Sequence, residues 1–233
     1  MLLGNTASKI RPVAVLSRNP LLARLLASIL NDWKFTVVEE VAEAKVVFIE
    51  RGMPLPEPCV AEVVWLSPMP LSQERFLLTP LSLTELYGSL EEFFFPVPRR
   101  HIRITTEVAA EIKYDGRWRK GQLLSLSDRG GRLSCDAELL KQTALTLEIK
   151  LPGRLLRTDA EVLYCVAASD IPGRQQPQIG VLFKPLAQGL VEALRRFIEK
   201  HNIESACERE GIALHDPCLS WLNFAENPWQ GLA

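Results

Sequence analysis

The sequence predicts an α/β domain with a parallel sheet over residues 11–96, then a small β-barrel or sandwich with a closing helix over 98–203. Three observations carry this. Short apolar runs alternate with helical stripes in the first half, alternating runs separated by turn signals fill the second, and Pro96 and Pro98 mark the change. Residues 204–233 form a tail.

In the first half, Val13 to Leu16 is an apolar run of the buried-strand kind. Pro20 stands where the first turn of a helix tolerates it, since no intrahelical N–H is lost there. Leu22, Leu25, Leu26, Ile29, Leu30 and Trp33 then recur at helical spacing as a core stripe. The stretches FTVV, KVVFIE and EVVWLS are rich in β-branched and aromatic side chains and read as further strands. Ser82-Leu83-Thr84-Glu85 is a capping box opening a second helix, with Leu83, Leu86, Leu90 and Phe93 inward. Strands alternating with helices imply a parallel sheet.

From Ile104 to Ile112 the period changes to two. Ile104, Thr106, Val108, Ala110 and Ile112 share one face, and Leu145, Leu147 and Ile149 repeat the pattern. Turn signals separate such runs: DGR at Asp115, RGG at Arg129, LPGR at Leu151 and IPGR at Ile171. A helix from about Gln188 to His201 closes the domain, with Leu190, Val191, Leu194, Phe197 and Ile198 on one face. In the tail, Trp221, Leu222, Phe224 and Trp229 are too apolar for a solvated leash, so it packs back on a domain or binds a partner.

Composition narrows the function. With 27 Lys and Arg against 28 Asp and Glu, the net charge of -1 argues against DNA or RNA binding along the chain, so any phosphate binding is local. The start MLLGNTASKIRP lacks the apolar core of a signal peptide, and the richest apolar stretch, LLARLLASIL, is broken by Arg24. A cytoplasmic protein without membrane insertion is expected. Five widely spaced cysteines with no CxxC read as reduced thiols, and the three histidines share no ligand spacing with them, so no metal site is expected. No nucleophile–base pair or phosphate loop is visible, and catalytic residues are not expected.

The local charge is PVPRRHIRI, where Arg99, Arg100 and Arg103 fall within five residues at the mouth of a strand. Such a cluster reads as a nucleic-acid patch, a solvated strand start or a grip for one small anion, since arginine's planar fork donates bidentately to phosphate. Downstream, Ser125-Leu126-Ser127-Asp128-Arg129-Gly130 ends another strand, where Ser127 offers a hydroxyl and Gly130 allows close backbone approach or a positive-φ turn. Read blandly, the arginines are a solvated strand start paired with Glu107, Glu111 or Asp128. His101 reads as a spacer or rim residue.

Two family resemblances follow. The first half resembles a response-regulator receiver domain in VAVLSRNPLLARLL, KVVFIERGMP, VVWLSP and FLLTPLSLTEL. It departs from that family's chemistry. The acidic pair that binds Mg²⁺ is replaced by Ser17, Arg18 and Asn19, the phospho-accepting aspartate by Glu50, the conserved hydroxyl falls at Ser67, and the conserved lysine by Thr79. The stretch from Met53 to Ser82 is too short for two full helices. A degenerate, abbreviated domain that docks rather than switches is implied, with Glu50 either mimicking a phosphorylated state or, more simply, buried at an edge in a salt bridge.

The second half resembles the PilZ domain, a bacterial cyclic di-GMP receptor module, over about Pro98 to His201. The match lies in the RxxxR element Arg99-Arg100-His101-Ile102-Arg103, the (D/N)xSxxG element at Ser125 to Gly130, and Gly180-Val181-Leu182-Phe183 before the last helix. The resemblance implies a six-stranded barrel with a C-terminal helix, and cyclic di-GMP held by Arg99, Arg100, Arg103, Ser125, Ser127 and Gly130. Ser125 departs from the usual Asp or Asn. Losing one good hydrogen bond of about 0.5–1.5 kcal/mol, or 1.5–3 if charged, predicts binding weakened about tenfold or somewhat more. The function implied is a cyclic di-GMP effector that alters its interdomain arrangement and its contacts with an unidentified protein partner, in motility, adhesion or exopolysaccharide control. The rival is a nucleotide-independent adaptor that only docks proteins.

Overall fold

A computed structural model of the chain describes residues 10–171, 173 and 176–231. The chain start read for a leader, as well as Pro172 and Arg174 of the IPGR turn, therefore lie outside the described residues. The chain divides into two compact units, residues 1–100 with 201–224 and residues 101–200 with 225–233.

The first unit holds a five-stranded parallel sheet, ordered β2-β1-β3-β4-β5. Its strands are β1 (Pro12–Leu16), β2 (Thr36–Val37), β3 (Val46–Glu50), β4 (Glu62–Ser67) and β5 (Phe76–Leu78). This is the strand order of flavodoxin-like and receiver folds. Helix α1 (Pro20–Asp32) starts at Asn19, whose side chain accepts from the Leu21 and Leu22 amides. Helix α2 (Leu83–Phe94) starts at Ser82, whose side chain accepts from the Glu85 amide, as the capping box requires.

All five residues of β3 are buried, so both faces of the sheet are covered. On one face Ala14, Val47 and Ile49 pack with Val41 of a short 3-10 turn and with Ala44 just after it. Met53, Leu55, Cys59 and Ala61, from the loop between β3 and β4, complete that layer. Loops replace helices there because 11 and 8 residues separate β3 from β4 and β4 from β5, too few for a helix and its turns.

The turn after β1 closes on the end of β3. Glu50 is buried, and its Oε2 accepts from the Ser17 hydroxyl at 2.9 Å and the Arg18 amide at 3.0 Å. The expectation of a buried salt bridge is thus corrected: hydrogen bonds from a hydroxyl and an amide satisfy the carboxylate, while the Arg18 guanidinium donates to the Gly52 carbonyl.

The second unit is a closed six-stranded antiparallel barrel ordered β10-β11-β8-β7-β6-β9. The strands are β6 (Ile104–Tyr114), β7 (Arg117–Ser127), β8 (Gly130–Ser134), β9 (Ala144–Leu151), β10 (Arg154–Val166) and β11 (Gln178–Phe183). Closure removes the sheet edges. Inward residues such as Ile112, Leu123, Leu126, Leu147, Ile149 and Val162 are fully buried, so the interior is a packed core.

Helix α3 (Gln188–Glu210) runs nine residues past the expected end. Its residues to Lys200 belong to the barrel unit, where Ala193, Leu194 and Ile198 are buried, and those from His201 to the first unit. There Asn202 accepts from Trp33 Nε1 at 3.1 Å, and Arg209 pairs with Asp32 at 2.6 Å. The final segment packs in both units. Leu222 bridges Leu81 in the first, and Trp229 stacks on Phe197 in the second with its Nε1 donating to the Pro152 carbonyl. No helix among the described residues is long and apolar enough to cross a membrane.

Candidate functional site

One row of residues crosses the outside of the barrel. Thr105 pairs with Ser125, Ser125 with Arg132, Arg132 with Gly180, and Gly180 with Tyr164. Directly opposed residues in antiparallel strands share a face, so these five side-chain positions sit side by side. The neighbouring row, Leu126, Gly131, Val181 and Val162, points inward.

The outward row borders a recess with an empty volume of about 420 Å³, open solvent included. Arg103, Ser125, Ser127, Arg129, Gly130 and Arg132 line one part of it, and Leu163, Tyr164, Gly180 and Leu182 another. Four of the six residues assigned from sequence, Arg103, Ser125, Ser127 and Gly130, therefore meet at one place. Arg99 and Arg100 belong to the first unit, where the Arg99 amide donates to Glu91 Oε2 at 2.9 Å. They are not among the residues that line this recess.

Two bulges shape it. The register of β7 against β8 shifts between Leu123 and Ser125, and that of β10 against β11 between Val162 and Tyr164. An extra residue in one strand re-aims the side chains that follow. Along β10, burial alternates from Leu155 to Val162, after which Leu163 and Tyr164 are both exposed. The second bulge thus leaves a leucine and an aromatic ring on the outer surface beside the arginines.

The glycines act through space rather than through backbone angle. A Cβ at Gly130 would stand 2.1 Å from the Val181 carbonyl oxygen, and one at Gly131 2.8 Å from the Ser125 carbonyl oxygen. Gly130 has no positive φ, so of its two possible roles the close approach is the one realised.

Ser127 differs from expectation. Its buried hydroxyl donates to the Gly130 carbonyl at 3.1 Å and accepts from the Arg129 amide at 3.4 Å. It therefore fixes the turn that carries Arg129, and its single proton is committed inside that turn.

Asp128 and His101 also differ. Asp128 is 3% exposed, its Oδ2 accepts from Arg195 Nε of α3 at 2.7 Å, and its Oδ1 stands 2.8 Å from His101 Nδ1. This carboxylate is not the partner of the arginine cluster, and His101, its side chain 34% exposed, stands against it. Ile102 is buried beside it. Arg103, Arg129 and Arg132 form no ion pair among the described residues. Three guanidinium groups with no ion pair among the described residues concentrate positive charge around one recess, on a chain whose net charge is -1.

Sequence reasoning left Arg132, Leu163 and Tyr164 unassigned. The register could have found Arg132, because it lies opposite Ser125. The bulge that exposes Tyr164 has no such signature, since YCV simply continues an apolar strand.

Residues 98–200 match the PilZ domain family. The barrel is a PilZ domain. No curated protein matches the sequence. Among solved structures, the chain is similar to Escherichia coli YcgR in complex with c-di-GMP, at 19% identity and a TM-score of 0.43, covering 48% of this chain and 50% of that one. The PilZ domain of E. coli YcgR with c-di-GMP matches at 16% and 0.40, covering 50% of this chain and all of that one. Bacillus subtilis inhibitor of motility MotI/DgrA matches at 17% and 0.41, covering 46% and 52%. The alignment thus spans about half of MotI and of intact YcgR.

Proposed function

We propose that this protein is a cyclic di-GMP effector whose ligand binds in the recess on the outer face of the PilZ barrel. The observation that carries this reading is the convergence of Arg103, Arg129 and Arg132, none ion-paired among the described residues, on Ser125, Ser127 and Gly130. A cyclic dinucleotide has two phosphates and two purine bases. The arginine forks serve phosphate oxygens or guanine edges, and the Tyr164 ring and Leu163 supply apolar area for a base. Gly130 and Gly131 keep side chains out of the space between β7, β8 and β11. Arg99 and Arg100 are assigned to the same ligand from the RxxxR element.

The finer part of the proposal concerns output. The boundary between the two units falls between Arg100 and His101, within the RxxxR element. A ligand engaging that element changes the arrangement of the units and thereby the contact with a protein partner, in motility, adhesion or exopolysaccharide control. Isothermal titration of the full chain with cyclic di-GMP, alone and as Arg103→Ala, tests the binding. Saturable heat in the wild type and at least roughly tenfold weaker uptake by the variant are expected for loss of a charged hydrogen bond. Absence of heat at high micromolar ligand rejects the reading.

A second reading is favoured by two details: Ser125 replaces the usual Asp or Asn, and the Ser127 proton is already committed to Gly130. In it, the barrel is a nucleotide-independent adaptor that only docks proteins. The same titration separates the two.

A further inference from the structure

Two parts of the recess are joined through one buried carboxylate. Asp128 sits in the turn between β7 and β8, flanked by Ser127 and Arg129, which both line the recess. Its Oδ1 stands 2.8 Å from His101 Nδ1, and its Oδ2 is held by Arg195 Nε at 2.7 Å. The approach to His101 requires a proton on Nδ1, because two lone pairs at that separation would repel. The contact is close without meeting hydrogen-bond geometry, so it is chiefly electrostatic. An unpaired carboxylate at this depth would be strongly disfavoured. The basic side chains at 101 and 195 are therefore not interchangeable with apolar ones.

His101 lies directly before the buried Ile102 and two residues before Arg103. Neither His101 nor Asp128 lines the recess itself.

We propose that Asp128 is a positioning residue for the ligand site. Anchored by Arg195, it grips His101 and so fixes the direction in which Arg103 leaves the backbone. The inference rests on the cyclic di-GMP reading above for its ligand, and on the His101–Asp128–Arg195 contacts for its geometry. Residues His101 to Arg103 are held in place before the ligand arrives, instead of folding over it. Organising a binding group in advance raises affinity by removing its ordering cost from the binding step.

The test uses the full chain with His101→Leu, which removes the N–H, and His101→Asn, which restores a donor near the Nδ1 position. Three quantities are compared: amide hydrogen exchange at Ile102 to Ile104 without ligand, the thermal midpoint, and the titration with cyclic di-GMP. The leucine variant should exchange faster at those amides, bind roughly tenfold more weakly, and melt within a few degrees of the wild type. The asparagine variant should return exchange and affinity towards the wild-type values, which a general loss of barrel stability would not do. Unchanged exchange in the leucine variant overturns the anchoring. A loosened segment with unchanged affinity overturns its role in binding. A wild type that takes up no cyclic di-GMP rejects the ligand reading instead, and the exchange comparison still decides the anchoring. If the leucine variant fails to fold, His101→Ala carries the same comparison.

Discussion

Tyr164 on β10 lies directly across from Gly180 on β11, and its ring fills the volume that a side chain at position 180 would need. A Cβ there would stand 2.2 Å from ring Cε1 and 2.4 Å from Cζ. Tyr164 is 44% exposed, and its ring can swing outward. The Val181 carbonyl that faces Gly130 is backbone and cannot. Gly180→Ala should therefore cost about 1 kcal/mol, at the lower end for overpacking, while Gly130→Ala costs about 3 kcal/mol or more. Equilibrium urea denaturation of both variants checks the order, and a larger loss at 180 than at 130 contradicts it.

Ser125 sits in the outward row between Thr105 and Arg132. Its hydroxyl is shorter than the Asp or Asn side chain that the PilZ motif usually places there. Ser125→Asp should tighten cyclic di-GMP binding by about tenfold, the value of one added hydrogen bond to the guanine edge. Calorimetric titration reads this directly. Equal or weaker binding by the variant means that position 125 does not face a base.

Arg132 was not singled out by the sequence, yet it lies opposite Ser125 and lines the recess. Arg132→Ala should weaken cyclic di-GMP binding by roughly tenfold and make it less sensitive to salt, because one phosphate-facing cation is lost. Titrations at two ionic strengths test this. An unchanged affinity and salt response places Arg132 outside the site.

Much of the architecture was legible because period and punctuation are local properties. The capping box at Ser82, the helical stripe of α1 and the alternation in β6 and β9 each follow from residues within a few positions of one another. The continuation of α3 to Glu210 was not legible, since it depends on distant partners such as Trp33 and Asp32. At the recess, the two motifs contain Arg103, Ser125, Ser127 and Gly130, which all line it. Asp128 was misjudged because its partner Arg195 lies 67 residues away on another element. Tyr164 was missed because a bulge, and not a sequence period, turns it outward.

The cysteines differ in chemistry as well as in burial. Cys135, Cys207 and Cys218 are buried, and desolvation is the largest cause raising each thiol's pKa, with Cys218 pushed up to about 12. A thiol held protonated at neutral pH is a poor nucleophile. Cys59 and Cys165 are half-buried and should be alkylated first by iodoacetamide in the native protein. Peptide mapping against time should show these two modified well before the other three, all five reacting together only after unfolding. Early labelling of Cys218 would contradict the packing around it.

Asp136 offers a pH test of the barrel itself. Its carboxylate is held below the usual range, first by the hydrogen bond from Arg119 at 2.9 Å and also by that from the Tyr114 hydroxyl at 3.2 Å. A carboxylate whose folded pKa lies below its unfolded value of about 3.9 adds stability above that value, and the gain is lost as pH falls through the folded pKa. Both Asp136 and Arg119 are well exposed, so solvent screens the pair and the effect is small. Asp136→Asn should be slightly less stable than the wild type at pH 7 and converge with it as pH falls below 4. Thermal melts from pH 7 to 3 check the sign, and a stability gap that widens on acidification rules out the ion pair as its source.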